Sequence, residues 1–414
     1  MAIDNKDKKV LKSSIEREQN EVACSAECEK IKGSKNLNVP HLRFPEFSGE
    51  WEEHTLSEYL EFKNGLNPDA KRIGSGLPFI SVMDILSEGV INYDNIRGKV
   101  NATEKEIECF GVKDGDLLFQ RSSETLEDVG RANVYMDNRT AIYGGFVIRG
   151  RKIGNYDPLF FKYLLATPLA RKRTCRMGAG AQHFNIGQEG LSKISLYFPS
   201  IEEQRKIAEF LSLIDERIAT QNKIIEDLKK LKSAISERLF KSVKGSTVLL
   251  SDLCDIVKGK QINGENLSDS GNYYVMNGGT EPSGYYDNYN VEASTISISE
   301  GGNSCGYVQF NTSPFWSGGH CYSIQNIADK VDNMYLYHYL KSNEDAIMKL
   351  RIGSGLPNIQ KKDLAMFKII VPKIEWQIKI STFLSSLERK AEIEERIQNV
   401  MQKQKLYLLQ QMFI

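Results

Sequence analysis

The sequence contains no apolar run close to the roughly 18–20 residues that a membrane-spanning helix needs. Its N-terminus is charged and has no apolar segment of the kind that a secretory signal requires. We therefore expect a cytoplasmic protein without membrane contact. Seven cysteines in 414 residues do not indicate a disulfide scaffold. Cys24 and Cys28 form a C-x3-C pair without the second pair of a typical zinc site, so the sequence predicts no bound metal.

Motifs that would carry catalysis are missing as well. A methyltransferase that acts on an exocyclic amine would need an Asn/Asp-Pro-Pro-aromatic loop, and the nearest strings, beginning at Asn67 and Asp157, lack the second proline. Neither the phosphate loop G-x4-G-K-[ST] nor the zinc motif H-E-x-x-H occurs. His320 precedes Cys321, but the Gly-Gly-His context favours a tight turn. We predict no catalytic residue and no cofactor bound by this chain.

Net charge is also absent, since 54 Lys and Arg balance 54 Asp and Glu. A nucleic-acid-binding domain usually carries a basic stripe. The charge is locally uneven, however, because the segment 149–176 contains eight Lys or Arg and one acid, Asp157. Its densest part runs from Arg171 to Arg176. This run fits phosphate contacts and fits equally a solvated helix end, where Lys and Arg are favoured.

What the sequence does contain is an internal repeat. Residues 185–199 and 358–372 both begin with Asn-Ile and end in proline, at an offset of 173 residues. The match continues into the next segment, where Gln204 falls on Gln377. It weakens towards the start of each half, where the two copies have diverged. The sequence therefore predicts two copies of one plan, each a variable globular part followed by a long helix.

A long helix is predicted after each repeat. Residues 202–241 contain no proline or glycine, and Ser200 and Glu203 have the spacing of a capping box. Apolar residues recur at steps of four and three, which is the seam pattern of a coiled coil. The predicted packing residues are Ile207, Leu211, Ile214, Ile218, Ile225, Leu228, Ile235 and Leu239 in the first helix, and Ile380, Leu384, Leu387, Met401, Leu408 and Met412 in the second.

These two helices are expected to pack on each other. A helix of about 40 residues spans roughly 60 Å at 1.5 Å per residue, and an isolated seam of that length would face water. The second helix must return towards the first globular part, so we expect the pair to be antiparallel. Polar residues interrupt both seams, and such residues often set the register. Our hypothesis places Lys232 opposite Glu394 and Lys405 opposite Gln221.

The remaining segments alternate short β-rich runs with Gly-rich turns and helical pieces, so the predicted fold class is α+β. We expect a charged N-terminal extension at residues 1–40, globular units at 41–199 and 246–373, and helical segments at 200–245 and 374–414. The two halves would then be related by a pseudo-twofold repeat, with the helices packed as an antiparallel coiled coil.

The loops of the globular units contain residue types that contact DNA. Asn, Gln, Ser and Arg read base edges, and Lys and Arg contact phosphates, although Asn and Gly are also typical of ordinary turns. The candidate DNA-contacting residues of the first unit are Lys63, Asn64, Arg121, Ser122, Ser123, Arg131, Asn133, Arg171, Arg173 and Arg176. Those of the second unit are Lys258, Lys260, Gln261, Asn277, Asn303, Ser304 and Trp316.

This combination of features resembles one protein family. The segment from Asn38 to Trp51, which reads NVPHLRFPEFSGEW, is similar to the start of Type I restriction-modification specificity (S) subunits. The junction of Gly-x-Gly, Asn-Ile, a β-run, proline, Glu-x-Gln and a long helix also resembles that family, and it is present twice. The resemblance covers about residues 38–414.

The resemblance implies a non-catalytic subunit with two target-recognition domains, 41–199 and 246–373. Each domain would read one half of a split site in double-stranded DNA. The two helical spacers would fix the gap between the half-sites and dock methyltransferase (M) subunits, and through them restriction (R) subunits. S-adenosylmethionine, ATP and Mg would be bound by those partners.

Two alternatives remain open beside the family resemblance. The first is a coiled-coil scaffold that does not bind DNA, which the stronger divergence of the globular parts than of the spacers argues against. The second is an autonomous DNA-modifying enzyme, which would need the motifs that are missing.

Two features depart from the family pattern. Residues 1–37 form an extra charged segment that the pattern does not explain. At the second junction, Trp376 and Ile378 stand where the first has Glu203 and Arg205. The two spacers therefore offer different side chains to a partner at this point.

Overall fold

The computed structural model describes residues 38–180, 183–353 and 357–414. It divides into two compact units, one formed by the described residues up to Ser212 together with Leu406–Ile414, and the other by Leu213–Lys405. Each unit combines helices with β-strands, which confirms the α+β class. Residues 1–37 of the predicted extension, with Cys24 and Cys28, lie outside the described residues. None of the described helices is long and apolar enough to cross a membrane.

The first unit contains twelve strands and five short helices among the described residues. They are β1 (Glu52–Thr55), β2 (Leu60–Asn64), β3 (Ile73–Ile80), α1 (Val82–Ile85), β4 (Gly98–Val100), α2 (Glu104–Phe110), β5 (Gly111–Val112), β6 (Leu117–Gln120), β7 (Ser122–Ser123), β8 (Ala132–Val134), β9 (Ala141–Tyr143), β10 (Val147–Lys152), α3 (Pro158–Ala166), α4 (Pro168–Arg176), β11 (Phe184–Asn185), α5 (Gln188–Ser192) and β12 (Ser195–Phe198). The long helix α6 (Ile201–Ser242) follows.

Two four-stranded sheets organise the first unit. The main sheet has the order β2-β10-β6-β8 with antiparallel neighbours, and the second has the order β4-β3-β9-β5. Strand β1 pairs with β12, and β7 pairs with β11. The rings of Trp51 and Phe160 pack against Phe413 near the C-terminus, with centroids 6.1 and 5.4 Å from it. Aromatic burial therefore joins the last residues of the chain to the first unit.

The second unit contains nine strands and three short helices among the described residues. They are β13 (Ser246–Leu249), β14 (Asp255–Lys258), β15 (Tyr273–Met276), β16 (Tyr285–Tyr286), β17 (Thr295–Ser299), β18 (Val308–Asn311), β19 (Trp316–Ser317), β20 (Cys321–Gln325), α7 (Asn333–Ser342), α8 (Glu344–Met348), α9 (Lys361–Ala365) and β21 (Lys368–Val371). The second long helix, α10 (Ile374–Gln411), ends close to the C-terminus.

The main sheet of the second unit has the order β14-β20-β17-β18, again with antiparallel neighbours. Strand β13 pairs with β21, as β1 pairs with β12 in the first unit. The strands β15, β16 and β19, which lie between β14 and β20 in the sequence, form a three-stranded sheet of order β16-β15-β19. Tyr335 and Leu336 of α7 are fully buried, and Phe240 of α6 packs on Tyr335 with centroids 5.8 Å apart. Matched by position in the chain, the two main sheets have the same strand order.

A buried glutamine joins α6 to the globular part that precedes it. Gln204 is 2% exposed. Its Oε1 accepts a hydrogen bond from the Asp157 backbone N–H at 3.1 Å, and its Nε2 donates to the Pro199 carbonyl at 3.0 Å. Asp157 is the residue that caps α3, because its carboxylate accepts from the Phe160 N–H at 2.9 Å. One side chain therefore links the start of the long helix to the start of α3.

The same contacts recur at the start of α10. Gln377 is fully buried. Its Oε1 accepts from the Asp332 N–H at 2.9 Å, and its Nε2 donates to the Pro372 carbonyl at 2.8 Å. Asp332 caps α7 through the Tyr335 N–H at 2.7 Å. The residue that the sequence repeat places at an offset of 173 thus makes the same pair of bonds in each unit.

Replacing Gln377 with leucine should destabilise the second unit. The change keeps a similar side-chain size but leaves the Asp332 N–H and the Pro372 carbonyl without partners, which costs about 1–3 kcal/mol. Chemical denaturation of Gln377→Leu against the unchanged protein measures this loss. Gln404→Leu, at an exposed position of the same helix, is the matched control and should stay within about 0.5 kcal/mol. Equal effects of the two changes would contradict the role of Gln377.

Candidate nucleic-acid interface

In the first unit, three candidate residues lie where β6 ends. Arg121 follows β6, and Ser122 and Ser123 form β7 beside β11. The Ser122 hydroxyl donates to the side-chain carbonyl of Asn185, and the Arg121 guanidinium approaches the Gly145 carbonyl at 3.4 Å. The candidate list omitted Asn185, although the Asn-Ile motif that opens each repeat was an available signal. The structure brings these polar groups together at one sheet edge.

Two other candidates of this unit differ sharply in exposure. Arg131 is exposed and forms an ion pair with Asp128 at 2.7 Å. Asn133 is 1% exposed, and its amide lies 3.4 Å from the Ile85 carbonyl. Strand β8 holds this side chain inside the unit, so Asn133 is not among the accessible candidates and its contact with DNA stays a prediction.

Lys63 and Asn64 belong to strand β2, so the expectation that they lie in a loop is wrong. Both are part of the antiparallel ladder with β10. The Lys63 ammonium donates to Cys109 Sγ at 2.9 Å and lies 5.5 Å from the centre of the Phe110 ring. The Lys63 ammonium therefore makes both of these contacts within the first unit.

The basic run from Arg171 to Arg176 is the end of α4, and its arginines have different surroundings. Arg171 donates to the backbone carbonyls of Glu127 and Val129 at 2.8 and 2.6 Å. Arg173 pairs with Glu53 at 2.7 Å. Arg176 is exposed in the last turn. The side chains of Arg171 and Arg173 therefore make contacts within the first unit, and Arg176 remains a candidate for phosphate contact.

In the second unit, Lys260, Gln261 and Trp316 lie together. The Trp316 indole N–H donates to the Lys260 carbonyl at 2.9 Å, and its ring meets the Tyr286 ring edge-on with centroids 5.1 Å apart. Gln261 is exposed, and its amide donates to the Ile262 carbonyl at 3.1 Å. The Trp316 ring therefore lies against the backbone of a segment that carries the exposed Lys260 and Gln261.

The other loop candidates of this unit lie outside its strands. The Asn277 side-chain carbonyl accepts from the His320 backbone N–H at 3.1 Å. Asn303 is exposed, and Ser304 is half-buried with its carbonyl accepting from the Tyr307 N–H at 2.9 Å. Their roles as DNA contacts remain predictions.

Lys258 lies at the end of β14 and pairs with an acid that the sequence analysis missed. Its ammonium is 2.6 Å from Oε1 of Glu300, which is 6% exposed. The Tyr322 hydroxyl donates to the same oxygen at 3.1 Å. Burial, with the Glu300 carboxylate beside it, raises the pKa of Tyr322, so this hydroxyl remains a proton donor at neutral pH. No sequence pattern distinguished Glu300 from other acids.

None of the predicted seam residues of the two long helices is exposed. Those that are buried are Ile207, Leu211, Ile218, Ile225, Ile380, Leu384 and Met412. Those that are half-buried are Ile214, Leu228, Ile235, Leu239, Leu387, Met401 and Leu408.

Polar side chains connect the two helices within the second unit. The Gln221 amide donates to a carboxylate oxygen of Glu394 at 2.7 Å, and Lys405 pairs with Asp215 at 2.5 Å. As residue numbers rise along α6, the partner numbers fall along α10. The hypothesis that Lys405 lies opposite Gln221 is therefore wrong.

Lys232 also has a different partner from the expected one. It pairs with Glu388 at 2.6 Å, and not with Glu394, which lies six residues further along α10. The apolar seam determines which face of each helix is covered but leaves the axial offset between the helices undetermined. Side-chain contacts across the pair set that offset, and a single sequence does not contain them.

The Lys232–Glu388 pair continues into the globular part of the second unit. The Tyr337 hydroxyl donates to Glu388 at 3.0 Å, and the neighbouring His338 Nε2 shares a hydrogen bond with the Ser385 hydroxyl at 2.8 Å. Burial lowers the pKa of His338 to about 4, so its ring is neutral at neutral pH. This polar network joins α6, α7 and α10.

Comparison with known proteins covers both units. The family model described as Type I restriction modification DNA specificity domain matches residues 48–230 and 244–403. A putative type I restriction enzyme specificity subunit of Methanocaldococcus jannaschii is 24% identical over 412 residues, covering 90% of this chain and 94% of that protein. A putative type I specificity subunit of Mycoplasma genitalium is 34% identical over 122 residues, covering 29% of this chain and 31% of that protein.

Two solved structures are similar in fold. The Type I restriction-modification system S subunit of M. genitalium has a TM-score of 0.62 at 18% identity, covering 91% of this chain and 99% of that chain. A chain from a structure concerned with complex assembly and conformational transition of the type I R-M system has a TM-score of 0.54 at 15% identity, covering 87% and 96%.

Exchanging the charges of Lys232 and Glu388 should restore what either single change removes. Lys232→Glu places two carboxylates together and should lower the free energy of unfolding, and adding Glu388→Lys should recover most of the loss. Contacting residues couple by about 0.5–3 kcal/mol in such double-mutant cycles, which denaturation of the four proteins measures. The same cycle on Glu226 and Lys230, an exposed pair within α6, is the control. A cycle without coupling at 232 and 388 would contradict the contact.

Proposed function

This chain belongs to the Type I restriction-modification DNA specificity family, and we propose that each of its halves reads one half of a split DNA site. It is a DNA-recognition subunit and not itself an enzyme. The observation that carries the two-half arrangement is the shared order of the main sheets, β2-β10-β6-β8 and β14-β20-β17-β18. Each sheet is followed by a long helix that begins with the same glutamine contacts.

The proposed architecture is a pseudo-twofold repeat of recognition domain and spacer. Its parts are a charged extension at 1–40, target-recognition domains at 41–199 and 246–373, and spacers at 200–245 and 374–414. The buried seam residues and the falling order of partners across the helices support an antiparallel coiled coil between the spacers. Stiff helices that hold two readers apart make the gap between half-sites a geometric consequence.

The proposed DNA contacts are the accessible candidates. In the first domain they include Arg121, Ser122 and Arg176, and in the second Lys260 and Trp316. Guanidinium and hydroxyl groups read base edges, and ammonium groups contact phosphates. We therefore assign sequence-specific reading to side chains at strand ends. The neutral net charge of the chain fits a subunit whose phosphate contacts are shared with partners.

M subunits are the proposed partners of the spacers, and R subunits would join through them. Each spacer carries a second apolar stripe beside its seam. On α6 it includes Leu213 and Leu231, which are 58% and 50% exposed, and on α10 it includes Ile393 and Val400, at 46% and 54%. Exposed apolar side chains that share one face of a helix are typical of an interaction face. We place the M subunits there.

S-adenosylmethionine, ATP and Mg are assigned to those partners and not to this chain. A cytoplasmic location follows from a DNA substrate and intracellular partners.

Deleting this chain from its host should abolish methylation of one split DNA motif, and sequencing that detects methylated bases measures this. Replacing residues 41–199 with the corresponding domain of another family member should change one half of the motif and leave the other half and the gap unchanged. Unchanged methylation after deletion, with DNA binding absent from the reconstituted complex, would contradict the proposal and favour the scaffold.

Serine at three stripe positions of α6, Leu213, Ile224 and Leu231, should weaken co-purification with the M subunit by about tenfold or more, because apolar residues at the centre of an interface carry most of its affinity. Serine at the exposed polar positions Glu216 and Lys223 of the same helix is the control. Equal retention of the M subunit by both variants would place the partner elsewhere.

A further inference from the structure

Arg121 and Glu300 occupy the same backbone position in the two units. The Arg121 N–H donates to the carbonyl of Phe146 at 2.9 Å, and the Glu300 N–H donates to the carbonyl of His320 at 2.9 Å. Each acceptor directly follows a Gly-Gly pair, Gly144-Gly145 in the first unit and Gly318-Gly319 in the second.

The carbonyls of these two residues confirm the match. The Arg121 carbonyl accepts from the Ile186 N–H at 3.0 Å, and the Glu300 carbonyl accepts from the Ile359 N–H at 2.8 Å. Ile186 and Ile359 are the isoleucines of the repeated Asn-Ile motif, at the offset of 173 residues. The N–H bond, the Gly-Gly pair before its acceptor and the carbonyl bond to the Asn-Ile motif all match. They place a cationic side chain in one unit where the other has an anionic one.

In the first unit the position presents hydrogen-bond donors beside an apolar ring. Arg121 is half-buried, and among the residues that the structure describes its guanidinium has one long contact, 3.4 Å to the Gly145 carbonyl. The Phe146 side chain is 67% exposed beside it. The position therefore combines a cationic group with an accessible apolar ring on the neighbouring residue.

In the second unit the same position presents an acceptor. Oε1 of Glu300 is occupied by Lys258 at 2.6 Å and Tyr322 at 3.1 Å. Oε2 is buried and has no hydrogen-bond partner among the residues that the structure describes. His320 Nδ1 lies 3.9 Å from it, and that histidine side chain is 63% exposed. A buried carboxylate oxygen without a donor is costly, so a donor supplied by a ligand is favoured.

The two residues that follow Glu300 are glycines and add no side chain beside this acceptor. Gly301 and Gly302 follow Glu300 directly, and a side chain on Gly302 would meet no atom of the described residues within 4 Å. The exposed His320 ring lies 3.9 Å from the buried oxygen, and we expect it to move aside when a base edge reaches Glu300. Close backbone approach of a ligand is one of the uses of such glycines.

We propose that this matched position determines base specificity in both half-sites, with Arg121 reading a guanine and Glu300 a cytosine. Arginine pairs with the O6 and N7 acceptors of guanine in the major groove, and a carboxylate accepts from the N4 amine of cytosine. The inference rests on the proposed function, since it assigns a base to each of two DNA-reading domains. One backbone arrangement would thereby read opposite hydrogen-bond patterns in the two half-sites.

Glu300→Gln tests the assignment in the second half-site. Glutamine keeps the size of the side chain but pairs with adenine in place of cytosine. The complex with M subunits should lose about 5- to 150-fold in preference for cytosine at one position, gain tolerance of adenine there, and keep the first half-site unchanged. Methylation mapping and binding to duplexes with single-base changes measure this. An unchanged preference in a folded variant would overturn the inference, because a merely structural role would not change which base is preferred.

A base analogue provides the same test without relying on the variant's folding. Duplexes in which each cytosine of the second half-site in turn is replaced by a pyrimidine without the 4-amino group should bind the unchanged complex about 5- to 150-fold more weakly at one position. The Glu300→Gln complex should not distinguish that duplex. A half-site without cytosine, or equal weakening in both proteins, would overturn the assignment. Absence of sequence-specific binding by the unchanged complex would instead refute the proposed function.

Arg121→Gln is the companion change in the first unit. It should relax preference for guanine at one position of the first half-site and leave the second half-site unchanged. Glu124→Ala, at an exposed position three residues after Arg121, is the control and should alter neither base preference in the same binding assay. Loss of affinity for all duplexes alike in Arg121→Gln would mark a phosphate contact and overturn its role as a base reader.

Discussion

Each long helix is attached to the globular part before it by one buried glutamine, and the direction in which the helix leaves that part depends on this attachment. Gln204 and Gln377 each satisfy the backbone N–H of a helix-capping aspartate and the carbonyl of a proline. A buried amide that makes both bonds resists rotation of the helix, because rotation would leave buried polar groups without partners. The helix direction is thereby tied to the sheet and to α3 or α7.

The helices themselves combine an apolar seam with a few polar contacts. Burial of the seam favours association along the whole length without selecting one offset, since the pattern repeats every seven residues. The axial offset is selected by two polar pairs, Gln221 with Glu394 and Lys232 with Glu388. Only one offset brings each pair within hydrogen-bonding distance. The network around Tyr337 and His338 extends this selection to α7. In a protein that is proposed to measure the gap between half-sites, a single offset is a functional requirement.

The ends of strands β6 and β17 show how one backbone arrangement accommodates different side chains. The strand order and the hydrogen bonds that flank Arg121 and Glu300 are the same in both units, while the side chains at that position have opposite charge. Strand pairing and glycine turns maintain the geometry, so the side chain at this position can differ between the units without loss of the fold. This separation explains why the spacer junctions retain their repeat and the globular parts do not.

Much of this organisation was determined by the sequence alone. The repeat at an offset of 173, the glutamine at each junction and the two long helices were all readable, because they depend on residues that are close in the chain or that recur at fixed spacing. The helices expected within 200–245 and 374–414 are Ile201–Ser242 and Ile374–Gln411. Only the tertiary structure decided that Lys232 meets Glu388, that Asn133 is buried, and that Glu300 rather than any other acid lies behind Lys258. Each of these depends on groups that are distant in the chain and become neighbours through strand pairing or helix packing, which periodicity and composition do not encode.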